Sequence, residues 1–122
     1  MASRLTDLSS TKFLGRTLTI EIDRPLGSRH PEHGFIYPLN YGFLPGVTAG
    51  DDEPLDAYVL GVFEPTSSFE GQCIAVIQRL DQDDDKLILV PPGIEYSDEQ
   101  IAALVEFQER FFRYQILRCP LE

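Results

Sequence analysis

Three acidic residues grouped around a proline are the feature of this sequence best suited to chemistry. They are Asp51, Glu53 and Asp56, in a run that reads Asp-Asp-Glu-Pro-Leu-Asp. In an extended chain residues i and i+2 share a face, so Asp51 and Glu53 point the same way, and a turn at Pro54 can return Asp56 beside them. Crowded carboxylates suit a hard cation such as Mg2+, which offsets their repulsion. The alternative interpretation is a solvated acidic turn before a strand.

A second acidic group, residues 81–85, lies between two apolar runs. Asp-rich connections are ordinary in hairpin turns, so this segment alone is typical of a solvated loop. Both acidic groups nevertheless flank predicted strand ends in a short chain, and a barrel can place them at one mouth. If they converge there, they can hold two or more ions that activate water and neutralise a phosphoryl leaving group.

Candidate phosphate-binding groups lie on either side of these carboxylates. Tyr37 and Tyr41 stand four apart around Pro38. They are either core residues or phenols that donate to a phosphate oxygen without adding charge. Arg24 and Lys86, beside two predicted strands, are either surface cations or the positive groups that meet the phosphates.

Histidine and cysteine give little indication of a site. His30 and His33 stand three apart in a loop that contains proline, without cysteine partners, so we expect a surface loop rather than a zinc site. Cys73 lies in an apolar run, where a buried free thiol is common, and we expect both it and Cys119 to be unpaired.

Composition limits the function classes. The 122 residues carry 20 acidic and 10 basic side chains, a net charge of -10, which argues against binding a nucleic-acid backbone. Bound cations can still attract an anionic substrate. The length predicts a single domain over residues 1–122. No apolar stretch approaches the ~20 residues needed to cross a bilayer, and no signal peptide is evident, so we expect a cytoplasmic protein without membrane contact.

Hydrophobic periodicity predicts strands followed by one helix. Residues 1–12 lack a pattern, so we expect them to be loosely ordered. Alternation and apolar runs predict strands over residues 17–23, 57–63, 73–80 and 86–90. Ser97 and Gln100 form a capping box for a helix from about Asp98 to Tyr114, whose apolar face comprises Ile101, Leu104, Val105, Gln108, Phe111 and Phe112. The class predicted is mainly β or α+β, a small closed OB-like β-barrel with one C-terminal α-helix.

The stretch from Ile22 to Lys86 resembles the soluble, magnesium-dependent inorganic pyrophosphatases. Three segments in order carry the likeness: Asp23-Arg24, then Tyr37-Pro38-Leu39-Asn40-Tyr41-Gly42-Phe43, then Asp51-Asp52-Glu53-Pro54-Leu55-Asp56. Asp81, Asp84 and Lys86 are similar to the family's Asp…Asp-x-Lys, and Val90-Pro91 ends that strand. The Tyr-Pro-x-Asn-Tyr-Gly run is the most specific of these segments.

The resemblance implies an OB-like barrel whose mouth holds Mg2+ and an enzyme that cleaves inorganic diphosphate. It implies four metal ligands, Asp51, Asp56, Asp81 and Asp84, and four groups on the phosphate side, Arg24, Tyr37, Tyr41 and Lys86. Glu53 stands where the family usually has an aspartate that helps to activate water, and its extra methylene moves the carboxylate by about a bond length. Catalysis is thus expected from Glu53, Asp56 and Tyr41, and self-association is plausible.

The sequence also departs from the family pattern. The resemblance does not extend to the family's N-terminal hairpin, which supplies a glutamate and a Lys-x-Glu pair. Thr17 lies near where that hairpin would end. The loop between Arg24 and Tyr37 is longer than usual, so Arg29 is an alternative to Arg24. The family's Tyr-Lys pair aligns with Phe111-Phe112 or with Tyr114-Gln115, and in either alignment another residue replaces the lysine. Three functions therefore remain: an inorganic diphosphatase, a hydrolase of another phosphoanhydride, and a non-catalytic module that binds phosphate or a nucleotide.

Overall fold

The computed structural model describes residues 9–48 and 53–118, which contain six strands and one α-helix. A 3-10 helix at Ser9–Phe13 comes first. The strands are β1 (Thr17–Arg24), β2 (Asn40–Thr48), β3 (Pro54–Val59), β4 (Ser68–Arg79), β5 (Lys86–Val90) and β6 (Tyr114–Arg118). The helix α1 (Asp98–Glu109) lies between β5 and β6. Within the described residues, no helix is long and apolar enough to cross a membrane.

Five strands close into a barrel in the order β1-β2-β3-β5-β4, with β4 pairing back to β1. The length of β4 allows two partners along one edge, because residues 68–72 pair with β1 and residues 75–79 pair with β6. Strands β3 and β5 are parallel, and the other pairs are antiparallel. The prediction of a small closed β-barrel with one helix is confirmed.

Alternation along the strands separates two apolar layers. Leu18, Ile20 and Ile22 of β1 belong to a cluster that also contains Leu87 and Leu89 of β5. The intervening side chains of β5, and their neighbours on β3, pack instead against α1: the second cluster includes Tyr58, Ile88, Val90, Ile101 and Val105. Since i and i+2 share a face of a strand, Asp56 and Lys86 lie on this helix-covered side of the barrel.

The helix begins as predicted and ends earlier. The Ser97 side chain accepts from the Gln100 N–H and the Gln100 side chain accepts from the Ser97 N–H, so the capping box is present. The prediction that the helix continues to Tyr114 was wrong, because residues 114–118 form β6 on the edge of β4. Leu104 and Phe111 were wrongly placed on the buried face, since both are exposed.

Strand β2 was not predicted, although it begins within the Tyr-Pro-x-Asn-Tyr-Gly run, at Asn40. Two residues of that run have structural roles. The fully buried Asn40 accepts from the Leu26 and Thr66 N–H groups and donates to the Glu64 carbonyl, which joins two loops. Gly42 lies against β1 so closely that a Cβ there would overlap the Glu21 carbonyl oxygen.

The remaining boundaries differ modestly from prediction. Strand β3 lies earlier than the predicted 57–63, and β4 begins five residues before the predicted start. Residues 9–12, which were expected to be loosely ordered, belong to the 3-10 helix Ser9–Phe13. Cys73 is buried and unpaired, and burial raises its pKa to about 11, which keeps the thiol protonated. Cys119 lies outside the described residues.

Candidate active site

Strand register brings the first acidic and basic site residues together. In the parallel β3–β5 pair, Asp56 aligns directly with Lys86. The Lys86 ammonium donates to Asp56 Oδ2 at 2.7 Å. Tyr41 of β2, diagonal to Asp56 across the β2–β3 ladder, donates its hydroxyl hydrogen to the same oxygen at 2.9 Å. Both donors use Oδ2, so neither bond occupies Oδ1 of Asp56.

Asp84 links this pair to a second cation. Its Oδ1 accepts from Lys86 at 2.9 Å, and its Oδ2 accepts from Arg79 Nη1 at 2.9 Å. Arg79, at the end of β4, also donates twice to the fully buried Glu109, from Nε at 3.1 Å and from Nη2 at 2.8 Å. The result is a chain of alternating charges through Glu109, Arg79, Asp84, Lys86 and Asp56. A low-dielectric interior strengthens each of these bonds.

Hydrogen bonds between uncharged side chains continue this network from Glu109 beneath α1. Tyr58 donates to Glu109 Oε2 at 2.6 Å and accepts from Gln108 Nε2 at 2.8 Å. Tyr37 donates to Gln108 Oε1 at 3.2 Å. The predicted residue Tyr37 therefore reaches the Lys86 group in two ways, through Gln108 and Tyr58 and through its own ring contact with Tyr41 at 5.5 Å. Burial raises the pKa of Tyr37, and the positive charge of Arg24 opposes that rise.

Arg79, Glu109 and Tyr58 were not predicted as site residues, although the sequence carried signals for them. Tyr58 follows Asp56 by two positions on one strand face, and Arg79 follows Ile77 in the same way. Glu109 stands eight residues after Ile101 and four after Val105, at the spacing of the buried helical face. A charged residue at such a position calls for a buried partner of opposite sign.

Burial and neighbouring carboxylates keep the two central tyrosines protonated. Burial, followed by the negative charge of Asp56, holds the pKa of Tyr41 well above its ordinary value. Burial and the charge of Glu109 do the same for the pKa of Tyr58. Both phenols therefore act as hydrogen-bond donors throughout the neutral range.

Two cavities meet at the Lys86 contacts. The first, called the acidic cavity below, has a volume of about 380 Å³ and is lined by Asp23, Phe43, Glu53, Pro54, Asp56 and Asp84. Desolvation raises the pKa of Asp23, and although Arg24 opposes this rise, the negative charge of Asp56 contributes to it. Four carboxylates thus line this cavity, and two of them, Asp56 and Asp84, are paired with Lys86.

The second cavity, called the aromatic cavity below, also measures about 380 Å³. Six of its lining residues carry rings: His30, His33, Phe35, Tyr41, Phe111 and Phe112. The remaining three are the polar residues Arg79, Lys86 and Gln108. Lys86 therefore faces the aromatic cavity while its two carboxylate partners line the acidic cavity.

The predicted site residues come together only in part. Tyr41, Asp56, Asp84 and Lys86 form one contiguous group, and Glu53 is an exposed residue of the acidic cavity. Asp81 is exposed and lines neither cavity. Asp51 lies outside the described residues. Over residues 9–48 and 53–118, no three His, Cys, Asp or Glu side chains are close enough to hold a metal ion.

Comparison with known proteins identifies the family. The sequence profile described as inorganic pyrophosphatase matches residues 16–116. The chain belongs to the inorganic pyrophosphatase family. Inorganic pyrophosphatase of Saccharolobus solfataricus is 37% identical over 76 residues, which cover 59% of this chain and 41% of that protein. The Methanosarcina mazei protein of the same name is 45% identical over 69 residues, covering 55% and 36%. The chain therefore spans less than half the length of these curated relatives.

A solved structure supports the barrel independently. The crystal structure of inorganic pyrophosphatase from Ehrlichia chaffeensis matches with a TM-score of 0.65 at 19% identity, covering 84% of this chain and 85% of that one. At this identity the likeness shows the fold alone. The pyrophosphatase family and its barrel are thus established by separate comparisons.

Proposed function

We propose that this chain is a Mg2+-dependent hydrolase that cleaves inorganic diphosphate to two phosphates. The observation that carries the proposal is the position of Lys86, which lies between Asp56 and Asp84 where the acidic and aromatic cavities meet. One ammonium group there can contact a phosphate in one cavity while its partners bind cations in the other. Membership of the pyrophosphatase family supports the same chemistry.

The side chains of this chain would bind and orient the diphosphate. Phosphoryl transfer depends mainly on positioning and on stabilising charge on phosphate oxygens. Lys86 supplies a buried cation, and Tyr41 supplies a phenol that keeps its proton at neutral pH. Arg24, whose positive charge acts on the Tyr37 hydroxyl, supplies a further cation. Glu53, at the exposed side of the acidic cavity, is the proposed base for the attacking water.

The donor chemistry of the acidic cavity fits Mg2+, although the donors are not gathered in advance. Carboxylate oxygens are the ligands Mg2+ prefers, and Oδ1 of Asp56 is not used by Lys86 or Tyr41. We assign Asp56 and Asp84 as ligands that would hold Mg2+. Asp51, which the structure does not describe, and Asp81, after a movement of its loop, would complete the ligand set. Bound there, Mg2+ would supply positive charge to the phosphate oxygens and lower the pKa of a water.

A second candidate function is binding, or hydrolysis of another phosphoanhydride, with little turnover of free diphosphate. One observation favours it: the two cations of the aromatic cavity are already paired, Arg79 with Glu109 and Asp84, and Lys86 with Asp56 and Asp84. Less positive charge therefore remains for a small, highly charged anion. We further propose a cytoplasmic location and a homo-oligomer, both expected from the family.

Phosphate release from inorganic diphosphate tests the proposal. We expect the purified protein with Mg2+ to release phosphate, and a Glu53→Ala, Asp56→Asn double variant to lose that activity. Glu70→Gln is the matched control, because Glu70 is an exposed carboxylate of β4 outside both cavities. If the native protein releases no more phosphate than the double variant, the hydrolase proposal fails. Mg2+-dependent binding of diphosphate without release would then favour the binding function.

A further inference from the structure

The rim of the aromatic cavity carries rings that folding alone does not require. Phe111 is 58% exposed although it lines the cavity. Its ring is roughly parallel to that of His33, with centroids 6.0 Å apart and planes at 25°. Phe35, in contrast, packs edge-on against Phe107 at 5.5 Å and so belongs to the core. Phe111 and His33 therefore present ring surface to the cavity that gains little from burial in the protein by itself.

The loop that holds His33 is ordered by its own hydrogen bonds. Nδ1 of His30 accepts from the backbone N–H of Glu32 at 3.0 Å and from that of His33 at 3.1 Å. The His30 N–H donates to the Phe35 carbonyl, and Arg29 Nη1 donates to the Gly34 carbonyl. A wall fixed in this way binds a flat ligand at a low cost in conformational entropy.

Charged groups lie in the same cavity as these rings. Lys86 and Arg79 both line it, and the Arg79 guanidinium lies 3.6 Å from the centre of the Phe112 ring. Inorganic diphosphate gains nothing from aromatic walls, because it has no apolar or π surface. A ligand that uses the whole cavity combines a phosphate group near Lys86 with a planar ring near Phe111.

We infer that the aromatic cavity is a subsite for the base of a nucleoside diphosphate, whose phosphates reach Lys86. This rests on the proposed function, since it names the substrate class of the same site. Hydrolysis would join a water oxygen to the terminal phosphorus and break its bond to the bridging oxygen. That oxygen leaves on the nucleoside monophosphate, and the water proton passes to a carboxylate or solvent. Stacking accepts any base, so the subsite specifies a ring rather than one nucleobase.

Calorimetry with two non-hydrolysable probes tests the subsite without relying on turnover. The probes are methylenediphosphonate and α,β-methylene-ADP, each titrated into the full chain with Mg2+. We expect the native protein to bind the nucleoside probe about tenfold or more tightly, because stacking on an aromatic side chain is worth roughly this factor per base. Phe111→Ala should reduce that ratio about tenfold. Phe63→Ala, which removes an 83% exposed ring that lines neither cavity, should leave the ratio unchanged.

The outcomes separate this inference from the function on which it rests. Equal affinity for the two probes, or an unchanged ratio in Phe111→Ala, overturns the subsite even if diphosphate is hydrolysed. Preference for the nucleoside probe, together with no phosphate release from inorganic diphosphate, supports the subsite and rejects the hydrolase. Sedimentation of Phe111→Ala provides the last arm: a change in oligomeric state with an intact ratio would assign this ring to a contact between copies and overturn the inference.

Discussion

Glu109 is the buried carboxylate at one end of the row of alternating charges that runs to Asp56. Its replacement by glutamine is the substitution that tests this row most directly. The carboxylate is fully buried, receives two bonds from Arg79 and one from Tyr58, and keeps a near-isosteric shape in Glu109→Gln. Glutamine would turn an amide N–H₂ toward one of these donors. Arg79 then loses the carboxylate that accepts two of its hydrogen bonds, while its bond to Asp84 remains.

The expected cost follows from the burial of the pair. Removing one partner of a buried ion pair destabilises a protein by about 3–5 kcal/mol, because the other charge stays desolvated. At about 4 °C per kcal/mol for a domain of this size, Tm should fall by roughly 12–20 °C. In the same helix the exposed Glu106 offers a matched control, and Glu106→Gln should change the free energy of unfolding by less than about 0.5 kcal/mol.

Thermal and guanidinium unfolding, followed by circular dichroism, measure both variants. A double variant, Glu109→Gln with Arg79→Met, removes both charges and should cost less than the sum of the single changes. If Glu109→Gln unfolds within about 1 kcal/mol of the native protein, Glu109 does not hold Arg79 as described. Additive single costs would likewise contradict the coupling of these two residues.

Three further outcomes follow from the fold. Asn40→Ala should cost about 2–4 kcal/mol in guanidinium unfolding, since it leaves buried N–H and carbonyl groups of two loops unpaired; a loss below 1 kcal/mol would contradict this. Gly42→Ala should shift β1 from β2 and lower Tm by more than 10 °C, and an unchanged Tm would show that the close approach to Glu21 is wrong. The pKa values of Tyr41 and Tyr58 are raised in the folded state, so their contribution to the free energy of unfolding is full below about pH 10 and is lost as pH rises through the folded-state pKa values. Phenolate absorbance should therefore show these two tyrosines titrating only when the protein unfolds. Their titration in the intact fold would contradict this.

The sequence predicts most of the barrel because its core strands show plain periodicity. Leu18, Ile20 and Ile22 alternate with polar residues, and residues 86–90 form a short apolar run. Strand β2 was missed because Gly42, Pro45 and Gly46 interrupt its pattern. The β2–β3 register becomes irregular after Leu44, where Pro45 and Gly46 lie. The end of the helix was missed because the apolar pair Phe111-Phe112 continues a helical spacing that β6 pairing overrides.

The candidate site was predictable in its composition and not in its connections. Asp56 and Lys86 were both expected at the site, but they are 30 residues apart and meet only because β3 and β5 align in parallel. Arg79 and Glu109, also 30 residues apart, depend on where a strand ends and a helix packs. Local sequence patterns do not encode contacts between residues so far apart. The sequence therefore could not show that Lys86 would be paired with two carboxylates.

The dependence of diphosphate hydrolysis on Mg2+ concentration, compared between the native protein and Asp56→Asn, tests the central claim most directly. Asp56 would both hold Mg2+ and orient Lys86, and its replacement removes a charge without removing bulk. We predict that phosphate release by the native protein requires Mg2+ and that Asp56→Asn lowers the maximal rate at least about 100-fold, because Asp56 would position the two cations, Mg2+ and Lys86, that stabilise negative charge in the transition state. Equal rates and equal Mg2+ dependence in the two proteins, or no Mg2+-dependent release by the native protein, would contradict the account.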